Sequence, residues 1–127
     1  MIYDASRQPD LKAWLKLDET ERIDLVVAYH RRNHLPLGGS AELHGAVHMV
    51  VENQIALGDA TAVPETLARL MDEGLNRHDA IHAVGSVLMG IIFDVVTKSG
   101  DGGGDLNAKY GHELDALTAA GWRSQKD

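Results

Sequence analysis

The amino-acid sequence predicts a single all-α domain over residues 1–127, a compact helical bundle of about five to six helices with an internally duplicated helical element. Three observations predict it. Apolar residues recur at spacings of three and four rather than two. Capping residues punctuate these runs. One histidine-bearing phrase is written twice. A chain of 127 residues, 44% hydrophobic and 24% charged, has the size and composition of one globular core rather than of a disordered or fibrous chain.

The elements follow in order. A short first helix has Pro9 near its start and turns Leu11, Trp14 and Leu15 inward. The second opens with a capping box, Asp18 with Glu21 three residues on, and places Ile23, Val26, Val27 and His30 on one face. It should stop near His34, because Pro36 restricts Leu35 and Gly38-Gly39 follows. Ser40 caps the third helix, whose inward face carries Leu43, Val47, Val50, Gln54 and Ile55, with Gly58 after its end. The fourth has Pro64 in its first turn, buries Leu67, Leu70 and Met71, and ends before Gly74. Asn76 caps the fifth with Asp79 at the box position. Ile81, Val84, Leu88, Ile91, Ile92 and Val95 mark this helix as central. The tract Ser99 to Asp105 reads as a glycine-rich linker, since it lacks the ordered oxygen ligands and distal Glu of a calcium loop. A last helix from Leu106 to about Ala120 turns Leu106, Tyr110, Leu114 and Leu117 inward, and Trp122 packs its end.

A net charge of -7 argues against nucleic acid as a partner, because a grip on phosphates needs clustered Lys and Arg. Arg31-Arg32 is the one short basic cluster and reads as a solvated helix end. The chain has no cysteine, so any metal must be held by His, Asp or Glu. Its first residues, MIYDASRQPD, show no secretory pattern, and the longest apolar stretch is interrupted by Ser86 and Asp94. The expectation is therefore a cytoplasmic protein with no membrane partner. Wide apolar arcs on the third and fifth helices are compatible with a homodimer. No protein partner is identified.

The informative element is His44-Gly-Ala-Val-His48-Met-Val50, repeated 34 residues later as His78-Asp-Ala-Ile-His82-Ala-Val84. At 100° per residue, the second histidine of each pair lies roughly 40° around from the first, so both rings share a face and can chelate. In both helices the pair lies along one edge of the apolar face. If those faces pack around a pseudo-two-fold axis, the four imidazoles meet, with Glu52 one turn beyond His48. The candidate metal ligands are thus His44, His48, Glu52, His78 and His82, suited to a transition metal ion such as zinc or iron. Glu52, Asn53 or Gln54 can alternatively orient a ring through its second nitrogen. The competing expectation is a metal-free interaction or scaffold domain in which the histidines join Asn53 and Gln54 in a buried polar network. His30 reads as a core histidine with a hydrogen-bond partner or as a fifth nitrogen near the site. The direction of His34 is left open by its place at a helix end. His112 reads as solvated.

The string from His44 through Glu52-Asn53-Gln54-Ile-Ala, followed by Glu73-Gly-Leu-x-Arg77-His78-x-Ala-Ile-His82-Ala-Val-Gly85, resembles a small bacterial family of unknown function. That resemblance implies one domain and no particular activity. The order of His30, His48 with Glu52, His78 with His82, and His112 with Asp115 is also similar to the hemerythrin-like di-iron bundles, and would imply iron ligands at those positions. That family's last motif has Asp five residues after His, where this chain has Leu117. His78-Asp79 resembles the dipeptide of the HD phosphohydrolases, although Asp79 also serves as the capping-box residue. Zinc metalloproteases require Glu directly after the first histidine, where Gly45 and Asp79 stand. No serine triad, phosphate loop or dinucleotide fingerprint is present. Whether the domain is an enzyme is left open by these motifs.

Overall fold

The computed structural model describes residues 1–97 and 105–126. Seven α-helices and no strand occur among the described residues: α1 (Leu11–Lys16), α2 (Glu19–Arg32), α3 (Ala41–Ala56), α4 (Val63–Asp72), α5 (Arg77–Thr97), α6 (Leu106–Ala116) and α7 (Ala119–Lys126). A single 3-10 turn, Gly58–Ala60, joins α3 to α4. The all-α class is as predicted. The expected linker lies outside the described residues except for Asp105, which caps α6 by accepting from the Asn107 and Ala108 amides.

Local chemistry sets the boundaries. Asp18 accepts from the Glu21 amide while the Glu21 side chain accepts from the Asp18 amide, completing the capping box of α2. Ser40 accepts from the Leu43 amide to start α3, and Asn76 from the Asp79 amide to start α5. Helix α4 ends in a Schellman turn: Gly74, at φ +107°, lets the Leu75 amide return to the Leu70 carbonyl. Helix α2 ends the same way, but with His34 at φ +55° and the Leu35 amide on the His30 carbonyl.

The expected last helix is two. After Leu117 the chain turns, and Thr118 starts α7 by accepting the Gly121 amide on its hydroxyl and the Trp122 amide on its carbonyl. Trp122 packs, partly buried, against the core as expected. Several residues expected inward are exposed instead: Leu11, Leu15, Leu43, Met71, Ile92, Val95 and Leu106. The apolar periodicity of α5 continues through its last turns, yet Ile92, Phe93, Val95 and Val96 are all exposed there.

Two apolar clusters form the interior. One joins the end of α3 to α4, α5, α6 and α7 through Val51, Ile55, Leu70, Ile81, Val84, Leu114 and Ala119. The other gathers Tyr3, Ala5, Trp14, Val26 and Met49. Helix α3 contributes to both, and its His48 and Glu52 belong to neither. Helix α5 has the length and apolarity of a bilayer-spanning segment, but its first half is a core element packed on α3 and α4.

Two glycines bring the helices close enough to build the site. A Cβ on Gly45 would stand 3.0 Å from Cγ2 of both Ile23 and Val27, so α3 approaches α2 as only glycine permits. A Cβ on Gly85 would stand 3.1 Å from Cγ1 of Val47, at the crossing of α5 and α3. Gly45 adjoins His44, and Gly85 lies three residues after His82.

Candidate metal centre

Where α2, α3 and α5 converge, five imidazoles meet. His44 and His48 come from α3, His78 and His82 from α5, and His30 from the last full turn of α2. Ring nitrogens of His30, His48, His78 and His82 lie within 4.8 Å of one another. Nε2 of His30 is 3.0 Å from Nε2 of His44 and 3.1 Å from that of His78, and the Nε2 atoms of His44 and His82 are 3.1 Å apart. The two copies meet in antiparallel fashion. Ring centroids of His44 and His82 are 4.8 Å apart, and those of His48 and His78 are 5.3 Å apart. A shift of 34 exchanges these two contacts, which is the relation a pseudo-two-fold arrangement requires.

His30 has both features the sequence allowed for it. Its Nδ1 donates to the Val26 carbonyl at 2.8 Å, since a carbonyl oxygen can only accept. Its Nε2 is therefore an unprotonated lone pair in the neutral ring, aimed at His44 and His78. His34 is outside the cluster: the turn that ends α2 places it in the left-handed region, exposed.

Glu52 does not extend the imidazole group. Its carboxylate is held by Arg77, Nη1 to Oε2 and Nη2 to Oε1, both at 2.8 Å, with both side chains buried. Arg77 also donates to the Ala5 carbonyl. The Tyr3 hydroxyl donates to Glu52 Oε2 and lies 2.7 Å from His48 Nε2. Burial, and then the charge of Glu52, holds the Tyr3 phenol far above its usual range, so it stays protonated. With its proton committed to Glu52, its oxygen accepts from His48 Nε2–H. His48 is thereby fixed as the Nε2–H tautomer, and its Nδ1 is buried with no hydrogen-bond partner among the described residues.

Burial favours the neutral form of three of the five rings. Burial is the main cause that lowers the pKa of His30, His44 and His48. For His48 the other four histidines add to it, and the shift is large. Neutral imidazole is the form that binds metal.

Asn53 and Gln54 work elsewhere. Asn53 accepts from Trp14 Nε1 and Arg22 Nη1, tying α1 and α2 to α3. Gln54 accepts from the Tyr110 hydroxyl of α6. The expected histidine–amide network is in fact a histidine cluster backed by Tyr3, Glu52 and Arg77. His112 and Asp115, which the di-iron pattern would require, are exposed on α6.

Tyr3 and Arg77 were not among the expected site residues. Tyr3 lies in an irregular segment with no periodicity to read. Arg77 did carry a signal, as a lone cation in register with Ile81 and Val84 on a buried stripe. Glu52 is its counterpart one turn beyond His48.

Comparison of the chain with family models, with curated proteins and with solved structures found no match.

Proposed function

We propose that this domain binds one transition metal ion, zinc or iron, through His30, His48, His78 and His82. The observation that carries this reading is the bare Nδ1 of His48. A buried acceptor without a partner costs about 1–3 kcal/mol, and coordination would relieve that cost. The chain from Arg77 through Glu52 and Tyr3 to His48 Nε2–H is the kind of support that fixes the tautomer of a metal ligand and raises its basicity. The spacing agrees. Nitrogens about 2.0–2.1 Å from one ion stand roughly 3.3 Å apart at tetrahedral angles and roughly 3.0 Å apart at right angles. The ligands would all be neutral, since the Glu52 charge behind Tyr3 is already paired with Arg77. Bound there, the ion would supply Lewis acidity.

The second reading is a metal-free polar network, favoured by the three Nε2 pairs at hydrogen-bond distance. Neutral rings satisfy two of those three pairs if His44 donates to His82 and His78 donates to His30, and the His44–His30 pair is then left without a proton of its own. This arrangement still leaves His48 Nδ1 unpartnered, so the metal reading ranks first.

Elemental analysis of protein purified without chelators or affinity metals tests the choice. About one zinc or iron per chain is expected, lost in His48→Ala and His82→Ala and retained in His34→Ala and His112→Ala, with circular dichroism confirming the fold of each. Protein that arrives metal-free and takes up none on titration leaves the polar network as the correct reading.

A further inference from the structure

Beside the cluster, with neither Tyr3 nor Arg77 among its lining residues, a cleft of about 340 Å³ opens between α3, α5 and the segment that follows α2. Its volume lies in the range of small-molecule sites. Three of the five histidines, His44, His48 and His82, belong to both the cluster and the cleft wall. The rest of the wall is dominated by Leu43, Val47, Ile81 and Met89, and no Asp, Glu, Lys or Arg among the described residues lines it. A charged ligand would lose hydration there and gain no counter-charge. An apolar body would be covered, and a single lone-pair donor at its inner end would meet the imidazole edge.

We propose that this cleft binds a small uncharged molecule with an apolar body and one lone-pair donor, which coordinates the ion from the open side of the cluster. This rests on the metal reading above. His44 stands at the junction. It is half-buried, outside the group of four mutually close nitrogens, yet within hydrogen-bond distance of His30 and His82. It is therefore placed to hydrogen-bond the incoming donor group without being required to hold the ion.

The experiment uses the whole chain loaded with cobalt(II), whose visible absorption reports its coordination. The probes are imidazole and 4-phenylimidazole, which share a donor nitrogen and differ by an apolar ring. Both should perturb the cobalt spectrum, with 4-phenylimidazole binding about tenfold tighter or more because its ring is removed from water. Ser86→Trp, at an exposed position on the cleft wall, should abolish that preference while leaving cobalt stoichiometry unchanged. Leu43→Trp, also exposed, provides the same block from α3 should the first variant fold poorly. Equal affinities for the two probes, no spectral change with 4-phenylimidazole, or a preference that survives both blocks would overturn the cleft proposal while leaving the metal site standing. Failure to take up cobalt overturns both.

Discussion

The two copies of the histidine phrase differ most just outside it. A shift of 34 carries Glu52 onto Ser86 and Leu43 onto Arg77. Glu52 and Arg77 form a buried, doubly hydrogen-bonded ion pair beside Tyr3. Ser86 and Leu43, their counterparts, are exposed and border the cleft. Two related surfaces of one histidine cluster have thus become a sealed side and an open side. The repeated residues supply four of the five imidazoles, and the unrepeated ones beside them differ in burial between the two sides.

Breaking the sealed side should cost most. Arg77→Ala leaves a buried carboxylate unpaired, for a loss of about 3–5 kcal/mol in urea unfolding. Ser86→Ala and Leu43→Ala, at the equivalent positions on the open side, should each stay within about 1 kcal/mol. Similar costs on both sides would show that the asymmetry is not energetic.

The two close helix crossings sharpen the same contrast. Gly45→Ala drives a methyl against two branched side chains and should cost about 1–3 kcal/mol. Gly85→Ala meets only Val47, which borders the cleft and has room to yield. The gain of about 1 kcal/mol in helix propensity should offset much of its strain. Thermal melts of the two variants decide whether Gly85 is the more tolerant.

At the end of α2, four residues beyond His30, His34→Gly should be neutral or stabilising by up to about 1 kcal/mol, since glycine adopts a positive φ without the penalty histidine carries. Loss of metal in that variant would contradict the purely local role given to His34.

The smallest effect near neutrality is the response to acid. The folded-state pKa values of His30, His44 and His48 are lowered, so the unfolded chain binds more protons as pH falls. Metal-free protein should keep its full stability above about pH 6.5 and lose it progressively below. Denaturant midpoints at pH 7.5, 6.0 and 5.0 measure this, with a shallower dependence expected for His48→Asn. A midpoint independent of pH would mean that the cluster is more solvated than its geometry shows.

Much of the fold was legible because helix boundaries are local. Asp18, Ser40 and Asn76 announce the helices they cap within three residues, and the paired histidines announce a shared face. Thr118 carried an equally local start signal, but the unbroken apolar spacing through Leu117 masked it. Leu43 and Leu106 were misplaced because periodicity identifies a face without showing whether another element covers it. Tyr3 lay beyond reach for a different reason. Its partners, His48 and Glu52, are 45 and 49 residues away, and no local pattern encodes such a pairing. Of the site, the four repeated histidines could be read from spacing. The support behind them required the packing of α2 and the N-terminal segment.

The span of those contacts also bears on when the site comes into being. An early helix of α3 or α5 carries one histidine pair at i, i+4 and nothing more. The full constellation needs Tyr3, His30, His48 and Arg77 together, with Arg77 reaching back 72 residues to Ala5. Contacts of such sequence separation must meet the entropy of loop closure before they are rewarded. A chain with its helices formed but its topology incomplete would offer only two-point grips on an ion. Full nitrogen coordination would therefore serve as a signal that this protein has finished folding.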